Sequence, residues 1–173
     1  YGMNSYFVPW IDPGNFATRE SVEAFAMLLN DARKVVADAG MAFGYHNHEF
    51  EFTNQIDGVP AYTILREATD PDVQFEVDTY WVQVGGYSAV ELIHALGART
   101  GMIHIKDGPA DPNDRNAHML AFGEGNMDIP AIVEAGKQVN TRALYVELDH
   151  CATDMMEAVE KSWNYLKQQG FVS

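Results

Sequence analysis

Five β-prone runs alternate with helical segments along this chain, and that alternation leaves few folds open to it. Tyr6 to Trp10 leads into the turn residues Ile11-Asp12-Pro13-Gly14-Asn15. Thr18 to Ala39 follows, with Val22, Phe25, Ala26, Leu29, Ala32, Val36 and Ala37 close to a 3.6-residue period, a cap at Thr18 and a stop at Gly40. Met41 to His48 reads as a strand, and Tyr62 to Ala68 as a short helix ending before Asp70-Pro71. Val73 to Val77 is a strand, Ser88 to Leu96 a helix stopped by Gly97, and Gly101 to Lys106 the fourth strand. Asp128 caps a helix with Pro130 in its first turn, running to about Val139. Ala143 to Leu148 is the fifth strand, and Thr153 to Gln168 the last helix, with Met156, Val159, Trp163 and Leu166 on one face.

Strand followed by helix, repeated, is a run of right-handed βαβ units, so the expected class is α/β with a parallel sheet. A complete (β/α)8 barrel takes about 250 residues, and the 173 residues here supply roughly its last five units as one domain. An open half-barrel exposes sheet edges and apolar interior. Either another chain completes it, as in a homo-oligomer, or the N-terminal units belong to a longer protein, or the piece is an inactive partial barrel.

The ends of these strands carry the chemistry. Asp78, His104 and Glu147 each close a β-prone run, in Phe75-Glu76-Val77-Asp78, Met102-Ile103-His104-Ile105-Lys106-Asp107 and Leu144-Tyr145-Val146-Glu147. Parallel barrels collect catalytic groups at that end of their strands. Taken singly, Asp78 reads as a helix cap, His104 as a core histidine and Glu147 as a partner for Lys106. Taken together, two carboxylates and an imidazole form an O/N set for one divalent metal ion: manganese first, with zinc, cobalt, iron or magnesium as alternatives. The fourth ligand is expected from His46-Asn47-His48-Glu49. Alternation puts His46 and His48 on one face, which favours His46; Glu49 replaces it if the backbone turns straight after His48. The surplus histidine is then a proton carrier. Lys106 shares the face of His104 and is expected to donate to a substrate oxygen or to stabilise an enolate, with Asp107 orienting it. Trp10 and Trp81 offer flat walls for a sugar ring. The loop Gly108 to Asn126 is long enough to have a role, with Gly123-Glu124-Gly125 as flexible backbone at the pocket rim. It lacks the third glycine and the following Lys-Ser/Thr of nucleotide-binding loops.

Composition narrows the partners. The net charge of −14, from 25 acidic against 11 basic side chains, disfavours nucleic acid and anionic membranes. No apolar run approaches the ~20 residues of a membrane span, and no signal-peptide pattern opens the chain. The single cysteine, Cys151, agrees with a reducing, cytoplasmic setting.

Gly44-Tyr45-His46-Asn47-His48-Glu49-Phe50-Glu51, Glu76-Val77-Asp78-Thr79-Tyr80-Trp81, His104-Ile105-Lys106-Asp107, Gly123-Glu124-Gly125-Asn126-Met127-Asp128 and Val146-Glu147 resemble motifs of the sugar phosphate isomerase/epimerase superfamily, the xylose isomerase-like TIM barrels that include ketose 3-epimerases, inosose dehydratase and endonuclease IV. The resemblance implies metal ligands at Asp78, His104 and Glu147, with His46 where many epimerases carry glutamate. It implies a sugar isomerase or epimerase acting on a small ketose or other sugar or polyol substrate through an enolate, with Glu147 and His48 moving protons, Lys106 steadying the enolate and Glu49 among the substrate-binding groups. An inosose dehydratase-like lyase is the alternative. An endonuclease IV-like reading requires a basic DNA-binding face, which the charge contradicts, and Trp81 stands where that family has a further histidine ligand.

Overall fold

The computed structural model describes residues 2–172. Its main sheet has five strands, all parallel, in the spatial order β1-β2-β5-β6-β7: β1 (Ser5–Val8), β2 (Ala42–His46), β5 (Gln74–Asp78), β6 (Thr100–Ile105) and β7 (Leu144–Val146). The order follows the chain, as it does when each crossover is right-handed and the sheet bends toward a barrel. A two-stranded hairpin, β3 (Gln55–Ile56) and β4 (Val59–Pro60), stands apart from it.

The long helix α1 (Arg19–Asp38) starts where Thr18 accepts a hydrogen bond from Ser21 N and Ser21 reaches back to the Thr18 backbone, which satisfies two otherwise open N–H groups. It buries Val22, Phe25, Ala26 and Leu29. Phe25 meets the Tyr45 ring of β2 edge-on at 5.3 Å, so the outward-facing residues of the strand are the ones that hold the helix. The helices α3 (Ala61–Ala68), α5 (Ala89–Leu96) and α6 (Ile129–Gln138) carry the same layer round the sheet, α5 capped by Ser88 and α6 by Asp128. None of the helices among the described residues is long and apolar enough to cross a membrane.

On the inner face the lower layer is filled from β1. A Cβ on Gly44 would come within 2.3 Å of Gln74 O and 2.4 Å of the Phe7 ring, and one on Gly101 within 2.9 Å of Phe7. These two glycines let Phe7 lie across the sheet one layer below the strand ends.

Three departures from the sequence reading have local causes. The chain turns directly after His48 into α2 (Phe50–Thr53), and Asp78 caps a further helix, α4 (Thr79–Val84). The β3–β4 hairpin turns on Asp57-Gly58, both at positive φ, an Asp-Gly signal whose flanking strands are too short to show alternation. In α7 (Met155–Gln168), the buried face is Ala158, Ser162 and Leu166; Met156 and Trp163, expected inside, are 74% and 44% exposed. Ser162 fixes that rotation, because its hydroxyl accepts from Phe122 N at 3.1 Å and donates to Ala158 O at 2.8 Å.

Candidate metal and active site

Four neighbouring strand ends each present two polar residues at positions i and i+2: His46 and His48, Glu76 and Asp78, His104 and Lys106, Glu147 and Asp149. The spacing follows from the two-residue period of a strand, which sends alternate side chains to one face. Seven of these eight, with Pro9 and Trp81, line a cavity of about 220 Å³. Asp78, the eighth, is wholly buried beside them.

Imidazoles and carboxylates alternate across the site. His46 Nε2 lies 3.6 Å from Asp78 Oδ2, and its Nδ1 is 3.1 Å from Glu76 Oε2. Glu76 Oε1 is 3.3 Å from His104 Nε2, and His104 Nδ1 is 2.5 Å from Glu147 Oε2. The two imidazoles stand 4.8 Å apart, centroid to centroid. Lys106 closes the set: its Nζ donates to Asp149 Oδ1 and Oδ2 at 2.8 and 2.9 Å, and lies 2.8 Å from Asp78 Oδ2 and 3.1 Å from Glu147 Oε2.

Burial and charge act against each other here. Burial alone would raise Glu76, but the hydrogen bonds and charges of His104 and His46 hold it down at about 2. Glu147 is likewise held at about 2, burial being outweighed by His104 and Lys106. Burial would lower His104, yet its bonds to Glu147 and Glu76 raise it to about 9. His48 has no carboxylate in hydrogen-bonding contact, so burial, with His46 and Lys106 nearby, lowers it to about 4 and leaves it neutral at pH 7.

These residues fit a divalent cation. His46, Asp78 and His104 each offer a ligand atom, all within 4.8 Å of one another, in a mixed N/O donor set. Asp78 gives its two oxygens different surroundings. Its Oδ1 accepts from Tyr80 N and Trp81 N at 3.1 Å each, capping α4, while its buried Oδ2 faces the Lys106 ammonium at 2.8 Å. A buried carboxylate oxygen is costly unless a cation compensates it, and Lys106 does so here. Cap and candidate ligand are therefore two atoms of one side chain. Glu147 reaches the set through His104.

Trp81 lines the cavity, with its Nε1 donating to Asp149 Oδ2 at 3.1 Å. Trp10 is 55% exposed and stands outside the lining, which on that side is Pro9. His48 lines the cavity with its ring 5.1 Å from that of His46. Glu49 points elsewhere: its Oε1 pairs with Arg115 Nη2 at 2.9 Å, and it is neither in the lining nor in the clustered donor set.

Two members of the site went unassigned from sequence, Glu76 and Asp149. Both lie two residues from a residue that was assigned, Asp78 and Glu147, so the i, i+2 alternation applied to His46/His48 and His104/Lys106 would have found them. Asp107 does not orient Lys106. Its carboxylate accepts from the backbone N–H groups of Gly108, Gly123, Gly125 and Met127 at 2.8, 2.8, 3.3 and 3.1 Å. The glycine-rich segment is thereby pinned, and Asp149, two residues past Glu147, is the partner of Lys106.

A parallel sheet curving toward a barrel, with its polar groups at the strand C-termini, defines a TIM-barrel enzyme architecture. Residues 4–169 match the family model described as the xylose isomerase-like TIM barrel, and the chain belongs to that family. It is similar to a sugar phosphate isomerase/epimerase from Parabacteroides distasonis ATCC 8503, with a TM-score of 0.84 and 25% identity over 99% of this chain and 60% of that one. It is 35% identical to an inosose dehydratase from Geobacillus kaustophilus (strain HTA426) over 83 residues, 46% of this chain and 25% of the relative. The fold is shared more distantly with an IOLI protein crystallised with a zinc atom, with a TM-score of 0.67 and 16% identity over 99% of this chain and 65% of that one. The chain thus spans less than two thirds of each of these proteins.

Proposed function

We propose that this chain carries the metal and proton-transfer site of a divalent-metal-dependent sugar isomerase or epimerase. The observation that carries the reading is the convergence of His46, Asp78 and His104, which offer one ligand atom each, all within 4.8 Å of one another. His46, Asp78 and His104, with Glu147, would hold the ion; the zinc of the IOLI relative supports a divalent cation, and manganese is our first choice for this O/N set. When bound, the ion supplies Lewis-acid polarisation of a substrate oxygen.

The remaining steps belong to side chains of this chain. His48 and Glu147 stand just past the ends of β2 and β7, which two other strands separate, yet both line the same cavity, so a small molecule between them meets one base at each end. Glu147, held as a carboxylate, removes the proton beside a carbonyl, and neutral His48 carries a proton on the other side. Lys106 supplies positive charge to the enolate oxygen. Trp81 gives a flat wall for the carbon skeleton. Return of the proton at the neighbouring position gives isomerisation, and return to the opposite face gives epimerisation. Loss of a β-hydroxyl gives dehydration instead, a reading favoured by the inosose dehydratase similarity. A neutral polyol or keto-sugar suits both the acidic chain and the small cavity. In this reading residues 1–173 form one barrel-type domain working in the cytoplasm, where Cys151 stays reduced.

The test is deuterium uptake. Manganese-loaded protein is incubated in heavy water with ketoses and inososes, and exchange is followed at the carbon beside the carbonyl. Exchange that Glu147→Gln abolishes supports the reading. No exchange with any substrate, or full exchange in a metal-binding Glu147→Gln protein, contradicts it.

A further inference from the structure

Lys106 is 1% exposed and sits among three carboxylates. Its ammonium is aligned for hydrogen bonding with both oxygens of Asp149, at 2.8 and 2.9 Å. Asp78 Oδ2 lies equally close to it, at 2.8 Å. Glu147 Oε2, at 3.1 Å, accepts its hydrogen bond from the His104 side. Asp149 is itself fixed, since Trp81 Nε1 donates to its Oδ2 at 3.1 Å and its backbone N–H points at Met119 Sδ at 3.2 Å. One tethered cation therefore leans on two of the four carboxylate and imidazole groups proposed above to hold the metal.

Resting on that metal reading, we infer that Lys106 is a built-in competitor for the metal site: its ammonium neutralises Asp78 and Glu147 while the site is metal-free and withdraws onto Asp149 when a divalent cation is bound. Two like charges cannot share Asp78 Oδ2 at low cost in a buried setting, where Coulomb repulsion is several-fold stronger than in water. Asp149 gives the ammonium a partner in both states, so it never becomes a buried unpaired charge. Asp149 is thus a positioning residue for Lys106, and the pair sets how readily the site loads.

Titration calorimetry with manganese chloride alone, on wild type, Lys106→Met and Asp149→Asn, tests this. Lys106→Met is expected to bind at least ten-fold more tightly, and Asp149→Asn at least five-fold more weakly, because the displaced ammonium then has no carboxylate to receive it. Lys106→Met leaves three carboxylates without their ammonium and is expected to lose stability without metal; a rise in melting temperature with manganese larger than in wild type is the second readout. Wild type that binds manganese while Lys106→Met binds no more tightly, or Asp149→Asn that binds equally well, overturns the inference. Failure of all three proteins, wild type included, to bind manganese overturns the metal reading itself.

Discussion

The Asn47 side chain clasps the backbone of Asp78 from both sides: its Oδ1 accepts from Asp78 N at 3.1 Å and its Nδ2 donates to Asp78 O at 3.2 Å. Asn47 is 1% exposed and lies between the two histidines of the β2 end, so one amide locks the His46-Asn47-His48 segment to the strand carrying Asp78. Asn47→Ala removes both of these bonds to the Asp78 backbone, and is expected to lower stability by about 1–3 kcal/mol. It is also expected to weaken manganese binding several-fold although no ligand is removed. Thermal unfolding and calorimetry check the two effects, and Asn47→Ala with wild-type values in both would show that the clasp does not position the site.

Glu51 gives the chain a pH dependence that can be measured apart from the metal. It is fully buried, with Tyr45 Oη donating to its Oε1 at 2.5 Å and His48 N to its Oε2 at 2.9 Å. Burial raises it from 4.5 to about 8 against the pull of those two bonds. A carboxyl raised on folding favours the protonated native state, so its contribution is complete below pH 4.5 and is lost as pH rises through about 8. The expected loss is about 3–5 kcal/mol. Denaturant unfolding between pH 5 and 9 should show that slope in wild type and a flatter one in Glu51→Gln; equal slopes would remove Glu51 as the cause.

Asp107 should behave as the anchor of the loop after β6. Asp107→Ala removes the acceptor for four backbone N–H groups and is expected to cost about 3 kcal/mol or more. Hydrogen exchange at Gly123 and Gly125 should rise sharply. A Cβ on Gly125 would stand 2.1 Å from Asp107 Oδ1 and 2.3 Å from Gly108 N, so Gly125→Ala is expected to reproduce the effect. Unchanged exchange in both variants would contradict the anchor.

Most of the architecture was legible because each βα unit states its own period. Apolar residues from Val22 to Leu29 mark α1, and Thr18, Ser88 and Asp128 mark helix starts by capping chemistry that works locally. What escaped depends on partners remote in sequence. The short α2 and α4 have too few residues to show a period, and α4 is set by the Asp78 cap. The face of α7 is chosen by Phe122 bonding to Ser162, a contact no periodicity reports. At the site, strand-end position marks His46, Asp78, His104 and Glu147, but Glu76 lies inside its strand and Asp149 one residue past the expected end of Ala143 to Leu148, so strand-end position alone does not mark them. Glu49 illustrates the same limit: its Arg115 partner comes from a loop whose path cannot be read from composition.

His46, Asp78 and His104 are proposed to grip one divalent ion. Asp78→Asn tests this, because asparagine caps a helix as well as aspartate does, while the carboxylate charge that faces Lys106 and would face the ion is lost. Manganese titrated into wild type by calorimetry is predicted to bind at one ion per chain, and Asp78→Asn to bind at least 100-fold more weakly while keeping its fold. Equal binding by a folded Asp78→Asn protein would show that Asp78 does not hold the ion.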